Sequence, residues 1–353
     1  MSGKIFNGLA VAAVAAICGG AVVAQDLPKV NLKVSGGNRT QNMFKFIQEP
    51  FFNKELTDAS GGAITTNFGS LEDMGIQGPE VLRLLQLGMF DISEGTLSYM
   101  AGEDPHFDAL DLPGLTSDID VQRKTADAYR AKLSEVLEKK FKVKLLTLSP
   151  IALQVIYCKG AISNLADLKG KTVRTYNRSM ADLVEAAGAA TVNIPFAEVV
   201  PAMQRGVADC AVTATSAGNT ARWWEVTDSL VMVPMGWATT FFAANLANWN
   251  RLDPAVQEFL TTEFAAMEDR QWAQAADDIQ DGINCNTGMG ECKNGVPAER
   301  EMTLVELSAE DQATAQQMVQ GVLKGWSERC GAECAADWNA SVGPILGTTA
   351  PVE

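Results

Sequence analysis

Residues 163–230 read SNLADLKGKTVRTYNRSMADLVEAAGAATVNIPFAEVVPAMQRGVADCAVTATSAGNTARWWEVTDSL, and the fold is decided by how this stretch is punctuated. The polar turn over 167–171 leads into Thr172, Val173 and Thr175, β-branched residues that predict a strand over 172–176. A helix is expected from about Ser179, whose hydroxyl can cap it. Met180, Leu183, Val184 and Ala187 then recur at helical spacing until Gly188 stops the pattern. A second strand follows over 191–194, and Pro195 marks the start of a helix that keeps an apolar face through Met203 and ends at Gly206. A third strand runs over 208–213. Strand and helix alternating in this way predict a parallel sheet with helices laid over it.

The polar side chains acquire meaning from that topology. Ligands of open α/β sheets sit beyond the carboxyl ends of the strands; Arg174 lies toward that end of the first strand and Thr213 closes the third. A guanidinium in that position can hold a carboxylate through two parallel hydrogen bonds. An arginine near a strand end is more often a solvated or salt-bridged surface residue, so position alone does not make Arg174 a ligand anchor.

The sequence carries a resemblance as well. L-K-G-K-x-V-R at 168–174, A-A-G-A at 186–189, P-F-A-E-V-x-P-A-M-Q-x-G-V-A-D at 195–209 and W-W-E-V-T-D at 223–228 resemble the second lobe of solute-binding proteins of tripartite ATP-independent periplasmic (TRAP) transporters, of the DctP type. The stretch GPEVLRLLQLGMFDISEGTLSYMAGEDPHFDALDLPGL at 78–115 resembles the first lobe of the same family, and the likeness covers most of residues 30–260. The resemblance implies that Arg174 holds a substrate carboxylate, that one long helix braces two lobes, and that the membrane subunits of a TRAP transporter receive the ligand. Many members have an Asn-Pro pair after the third strand, whereas this chain has Thr213-Ala214 and then Thr215-Ser216-Ala217-Gly218-Asn219, which leaves the second polar contact open.

Composition sets the outer bounds. A chain of 353 residues that is 47% apolar and 20% charged can bury a large core and should divide into two lobes. Its net charge of -15 argues against nucleic acid and anionic membrane surfaces as partners. It leaves an anionic ligand possible, because one arginine in a cleft outweighs diffuse, screened surface charge. Residues 1–24 have Lys4 at their start, an apolar stretch over 9–17 and Val22-Val23-Ala24 before Gln25, the pattern of a signal peptide cleaved near Ala24 for export to the periplasm. A lipid anchor on Cys18 competes with that reading, but Ile17 fits poorly before a lipidated cysteine.

Six of the seven cysteines lie beyond the export segment, in a compartment where disulfides form. Cys285 and Cys292 flank a turn-rich loop suited to a short bridge. Cys330 and Cys334 close a small ring or cross-pair with the first two, and Cys158 and Cys210 either pair across the sheet or stay as buried thiols. The spacing matches no zinc pattern, and His106 is the one histidine, so neither a metal nor a cofactor is expected.

Along the rest of the chain, strands are predicted over 30–34, 63–68, 91–93 and 143–148, and helices over 41–56, 78–87 and 121–141. Asn38 and Arg39 lie in the glycine-rich loop after the first strand, so Asn38 is a candidate to face the cleft opposite Arg174. Glu94, Thr96, Ser98 and Tyr99 follow the 91–93 strand; Thr96 is a ligand candidate, whereas Glu94 would repel a carboxylate unless paired or turned away. The 153–158 segment crosses into the second lobe and places Gln154 beneath the ligand. Residues 231–244 form an apolar return strand carrying Trp237, which either stacks on the ligand or belongs to the core. Phe196 and Tyr176 carry the same pair of readings, and Ser216 is a further polar candidate. Apolar residues from Val256 to Trp272 sustain a helix over 254–283, ~45 Å at 1.5 Å per residue and long enough to cross both lobes.

The expected protein is an α/β, two-lobed periplasmic binding protein with a central cleft and a long bridging helix. The first lobe should hold 25–149 with about 240–270, the second 150–239 with about 271–353. Its expected partner is a small organic acid that a monomeric, non-membrane-embedded receptor passes to a TRAP transporter; a receptor for an ATP-driven importer or a chemoreceptor is the alternative. No phosphate-cradling glycine motif or nucleophile elbow appears in the sequence, which leaves a hydrolytic enzyme as a remote reading.

Overall fold

The computed structural model describes residues 27–352, so the export segment expected over 1–24 lies outside the described residues. Eleven strands follow in chain order: β1 (Val30–Ser35), β2 (Ile64–Gly69), β3 (Ile92–Thr96), β4 (Val143–Pro150), β5 (Gln154–Cys158), β6 (Thr172–Thr175), β7 (Ala190–Asn193), β8 (Cys210–Ala214), β9 (Ser229–Val231), β10 (Thr239–Asn245) and β11 (Thr303–Val305). They build two sheets, one for each lobe, ordered β2-β1-β3-β10-β4 and β11-β9-β5-β8-β6-β7. The decisive stretch forms the parallel unit its punctuation predicts, with β6 between β7 and β8 and parallel to both.

The chain passes between the sheets at 151–153 and again at 232–238, so the apolar run expected as one return strand is two strands, β9 and β10, with the crossing between them. Gly236 adopts φ 95 there, and a Cβ on it would stand 2.5 Å from the Asp111 carbonyl oxygen, so only glycine fits. Asp111 ties the crossing down, its carboxylate accepting from the Thr239 backbone N–H and hydroxyl and from Ser98 Oγ. β11, not expected from the residue pattern, pairs with β9 along the edge of the second sheet.

Helix starts follow local polar chemistry. The helix Arg178–Ala186 is capped by Asn177, whose Oδ1 accepts from Met180 N at 2.8 Å, and not by the expected Ser179. The Ser179 hydroxyl is engaged elsewhere, donating to Asp108 and accepting from Arg329 Nη2 at 3.0 Å. The bridging helix runs Pro254–Thr287, with Asp253 capping it through Ala255 N at 2.9 Å and Gly288 ending it at φ 67. Its 34 residues reach across both lobes: Val256, Leu260, Phe264 and Met267 join one core cluster with β1 and β2, and Ile283 joins another with β5 and β8.

A second long helix, Ala309–Ser341, is also shared. Ala315, Val319 and Val322 pack with the core of the second lobe, whereas Trp326 and Trp338 pack with that of the first, and Gly331 interrupts the helix between the two tryptophans. The expected placement of 271–353 wholly in the second lobe therefore does not describe this helix. No described helix is long and apolar enough to cross a membrane.

Three disulfides resolve the cysteine alternatives: Cys158–Cys210, Cys285–Cys292 and Cys330–Cys334. Cys158 and Cys210 face each other in the register of β5 and β8, so the strand pairing itself brings the sulfurs together. Loop closure across 52 positions is worth about 4 kcal/mol in chain entropy, against about 2 kcal/mol across 4. Replacing Cys158 and Cys210 together by alanine should accordingly lower the melting temperature more than replacing Cys330 and Cys334. Scanning calorimetry on the two double variants checks this, and an equal or reversed order would contradict the loop-closure account.

Candidate ligand-binding site

Arg174 is the penultimate residue of β6, flanked in register by Val192 of β7 and Ala211 of β8. Its side chain is held by the ends of the neighbouring segments: Nε donates to the Ile194 carbonyl at 2.7 Å and Nη1 to the Val212 carbonyl at 2.7 Å. The guanidinium carbon sits 5.0 Å from the centre of the Tyr176 ring. Arg174 is only 1% exposed, yet Nη2 is buried without a hydrogen-bond partner, and no carboxylate pairs with the guanidinium among the described residues. Two backbone carbonyls aim the cation, and its free nitrogen is left to something else.

The Arg174 side chain lines an inner cavity of about 30 Å³ between the lobes, walled by Asn38, Gln41, Thr96 and Tyr99 from the first lobe and by Arg174, Tyr176, Phe196 and Thr213 from the second. Ile151, Gln154 and Ala238 close it from the crossings, and Ala238 holds a positive φ of 50 there, a conformation disfavoured for a residue with a Cβ. Asn38, Tyr99 and Phe196 also line an outer cavity of about 220 Å³ that includes Glu72, Ile76 and Gln77. At its mouth Gln77 Nε2 donates to Glu198 Oε1 at 3.2 Å, a hydrogen bond from one lobe to the other.

Seven of the nine residues singled out from the sequence thus meet around one space: Asn38, Thr96, Gln154, Arg174, Tyr176, Phe196 and Thr213. Gln154 is braced, accepting from Tyr176 Oη at 3.1 Å and donating to the Ala152 carbonyl at 2.9 Å. Burial pushes the Tyr176 phenol well above its ordinary value, so it keeps the proton it donates. The structure places the other two residues elsewhere. Trp237 is 1% exposed with its indole N–H on the Thr116 carbonyl at 3.1 Å, the core reading of that residue. Ser216 lies under the bridging helix, where a Cβ on Gly282 would come within 2.4 Å of its backbone nitrogen. Gln41, Ile151 and Ala238 line the cavity unanticipated. Adjacency to the glycine-rich loop was the signal available for Gln41; the other two depend on how the crossings fold.

Residues 36–329 match the model of the family described as bacterial extracellular solute-binding protein, family 7. The chain belongs to that family. A solute-binding protein of Albidiferax ferrireducens is 28% identical over 158 residues, a match spanning 41% of this chain and 43% of that protein. Among solved structures, an extracytoplasmic solute receptor of Bordetella pertussis that binds pyroglutamic acid is 24% identical, with a TM-score of 0.79 over 89% of this chain and 99% of that one. A sugar acid binding protein of Advenella mimigardefordensis, in complex with galactonate, is 17% identical, with a TM-score of 0.80 over 90% and 99%. These likenesses establish the two-lobed fold of the solute-binding family.

The acid that seemed out of place in such a receptor, Glu94, is accounted for by its surroundings. It is 6% exposed, and Oε1 accepts from Gln48 Nε2 at 2.9 Å, while Gln48 Oε1 accepts from Gly37 N at 2.9 Å. The glycine loop lies directly on the carboxyl, since a Cβ on Gly37 would fall 1.9 Å from Glu94 Oε2. Burial, opposed by hydrogen bonds from Gln48 and Thr240, pushes Glu94 from 4.5 up to about 8, so at neutral pH it is mostly uncharged. A folded value above the unfolded one means the native state holds a proton the unfolded chain has lost. This contribution to stability is therefore complete below pH 4.5 and declines as pH rises towards 8. Glu94→Gln should flatten that decline by up to about 1 kcal/mol per pH unit. Asp108 and Asp278, raised by burial to about 7 and about 6, retain a slope of the same sign. Denaturant titrations at several pH values check this, and an unchanged slope would place the Glu94 charge elsewhere.

Proposed function

We propose that the chain is a periplasmic receptor that captures a small organic acid between its two lobes and delivers it to the membrane subunits of a TRAP-type secondary transporter. The proposed residues 1–24 direct export and are removed near Ala24, and the protein's work is binding, not catalysis. One observation carries the reading: Arg174 lines the interlobe cavity, is buried and held by two carbonyls, and keeps an Nη2 with no hydrogen-bond partner. A buried charge without a partner is costly, and an anion entering from the cleft relieves that cost. Family membership supports the binding role, and the acids named for the structural neighbours, pyroglutamate and galactonate, support a carboxylate ligand.

In this reading Arg174 Nη2 takes the carboxylate, with Thr213, Asn38, Thr96 and Gln154 around its polar atoms. Tyr176 and Phe196 shape the space for the remainder. The cavity draws walls from both lobes, so a ligand that touches both favours the closed arrangement by its added contacts. Gln77 and Glu198 give that closure a polar clasp at the rim.

The test begins with a thermal-shift screen of organic acids, where a ligand at 100 times its dissociation constant stabilises by ~2.7 kcal/mol. Calorimetric titration of the hit should then show Arg174→Ala weakening binding by ~2 kcal/mol or more, about thirtyfold. Arg174→Lys should also lose affinity, because an ammonium lacks the planar fork that serves two carbonyls and a ligand together. Wild-type affinity in a correctly folded Arg174→Ala variant would refute the assignment.

A further inference from the structure

We infer that the inner cavity acts as a charge filter: it accepts a carboxylate bearing a single negative charge and no ammonium group, and it rejects dicarboxylates and α-amino acids. The inference rests on Arg174 as the carboxylate anchor proposed above. Apart from two tyrosines, Arg174 is the one ionisable residue lining the inner cavity among the described residues; the other polar walls are the neutral side chains of Asn38, Gln41, Thr96, Gln154 and Thr213. Pairing one carboxylate with that guanidinium leaves the enclosure neutral. A second carboxylate would then be buried with no cation to meet it, and a buried, unpaired charge is penalised by several kcal/mol.

Among the described residues no other positive side chain lines either cavity. Arg39 follows Asn38 in the chain, but its guanidinium is turned to Asp73 at 3.1 Å with the side chain 60% exposed. A longer diacid reaching outward meets the wrong sign, because Glu72 is the one charged residue lining the outer cavity and Glu198 stands at its rim. An α-ammonium fares no better. It would sit one carbon from the anchored carboxylate, near a guanidinium of like charge, in an inner cavity with no carboxylate on its walls. Hydroxyl, keto or lactam groups, in contrast, suit these walls, since the side chains of Asn38, Thr96 and Thr213 hold no internal hydrogen bond among the described residues.

The filter is tested by titrating the purified, exported protein at pH 7 with acids matched in carbon number but not in charged groups. Pyroglutamate is set against glutamate and glutarate, 2-hydroxybutyrate against 2-aminobutyrate and succinate, and mandelate against phenylglycine and phthalate. Each is repeated on Arg174→Ala. The expected result is that every binder is the monoanion of its set, with its amino and dicarboxylate counterparts on the order of 100-fold weaker. A dicarboxylate or amino acid within about tenfold of its monoanion, and still dependent on Arg174, would overturn the filter while leaving the anchor intact. Binding that ignores Arg174→Ala, or no binding by any of the acids, would bring down the anchor and the filter with it.

Discussion

The site depends on an interaction that the protein begins and does not complete. Arg174 is buried at the end of β6 and satisfied on two nitrogens by the carbonyls of Ile194 and Val212. The third nitrogen is buried with no hydrogen-bond partner, in a side chain that lines the interlobe cavity. Within a folded protein such a group is a liability unless function uses it, because desolvated charge is stable only when paired and hydrogen-bonded. The parallel strands β6, β7 and β8 make that arrangement possible, since their carboxyl ends present carbonyls and side chains on the same edge.

The rest of the architecture keeps the two halves of the site together while letting them meet a guest. Two chain crossings and two long helices connect the lobes, and both helices bury residues in clusters on each side. Asp111 fastens the second crossing to Ser98 and Thr239, which fixes where Ala238 closes the cavity. On the first lobe the glycine loop rests on Glu94, whose uncharged form at neutral pH lets an acid lie behind the loop carrying Asn38 without repelling an anionic ligand.

Much of this was legible in the residues. Local rules found β6, β7, β8 and the helices between them, because turn residues, helical spacing and glycine stops agree with the tertiary outcome in that block. The Pro254–Thr287 helix was equally plain from its unbroken apolar period and its Asp-Pro start. Arg174, Thr213 and Asn38 line one cavity as expected, because strand ends in an open α/β sheet converge on one edge. The failures have physical causes too. Asn177, not Ser179, caps its helix, because a tertiary contact with Asp108 and Arg329 claims the serine hydroxyl. For Trp237, open between stacking on the ligand and a place in the core, the tertiary structure decides for the core, its indole N–H satisfied inside the protein on Thr116.

By itself the sequence determined the alternation of strand and helix, the bridging helix and an arginine near a strand end, because propensity, caps and periodicity act over a few residues. Only the tertiary structure decided the pairing of Cys158 with Cys210, the sharing of Ala309–Ser341 between lobes, and the presence of Gln41, Ile151 and Ala238 in the wall of the cavity. Each of these joins groups far apart in the chain, and which distant surfaces meet depends on how both sheets and both crossings pack at once.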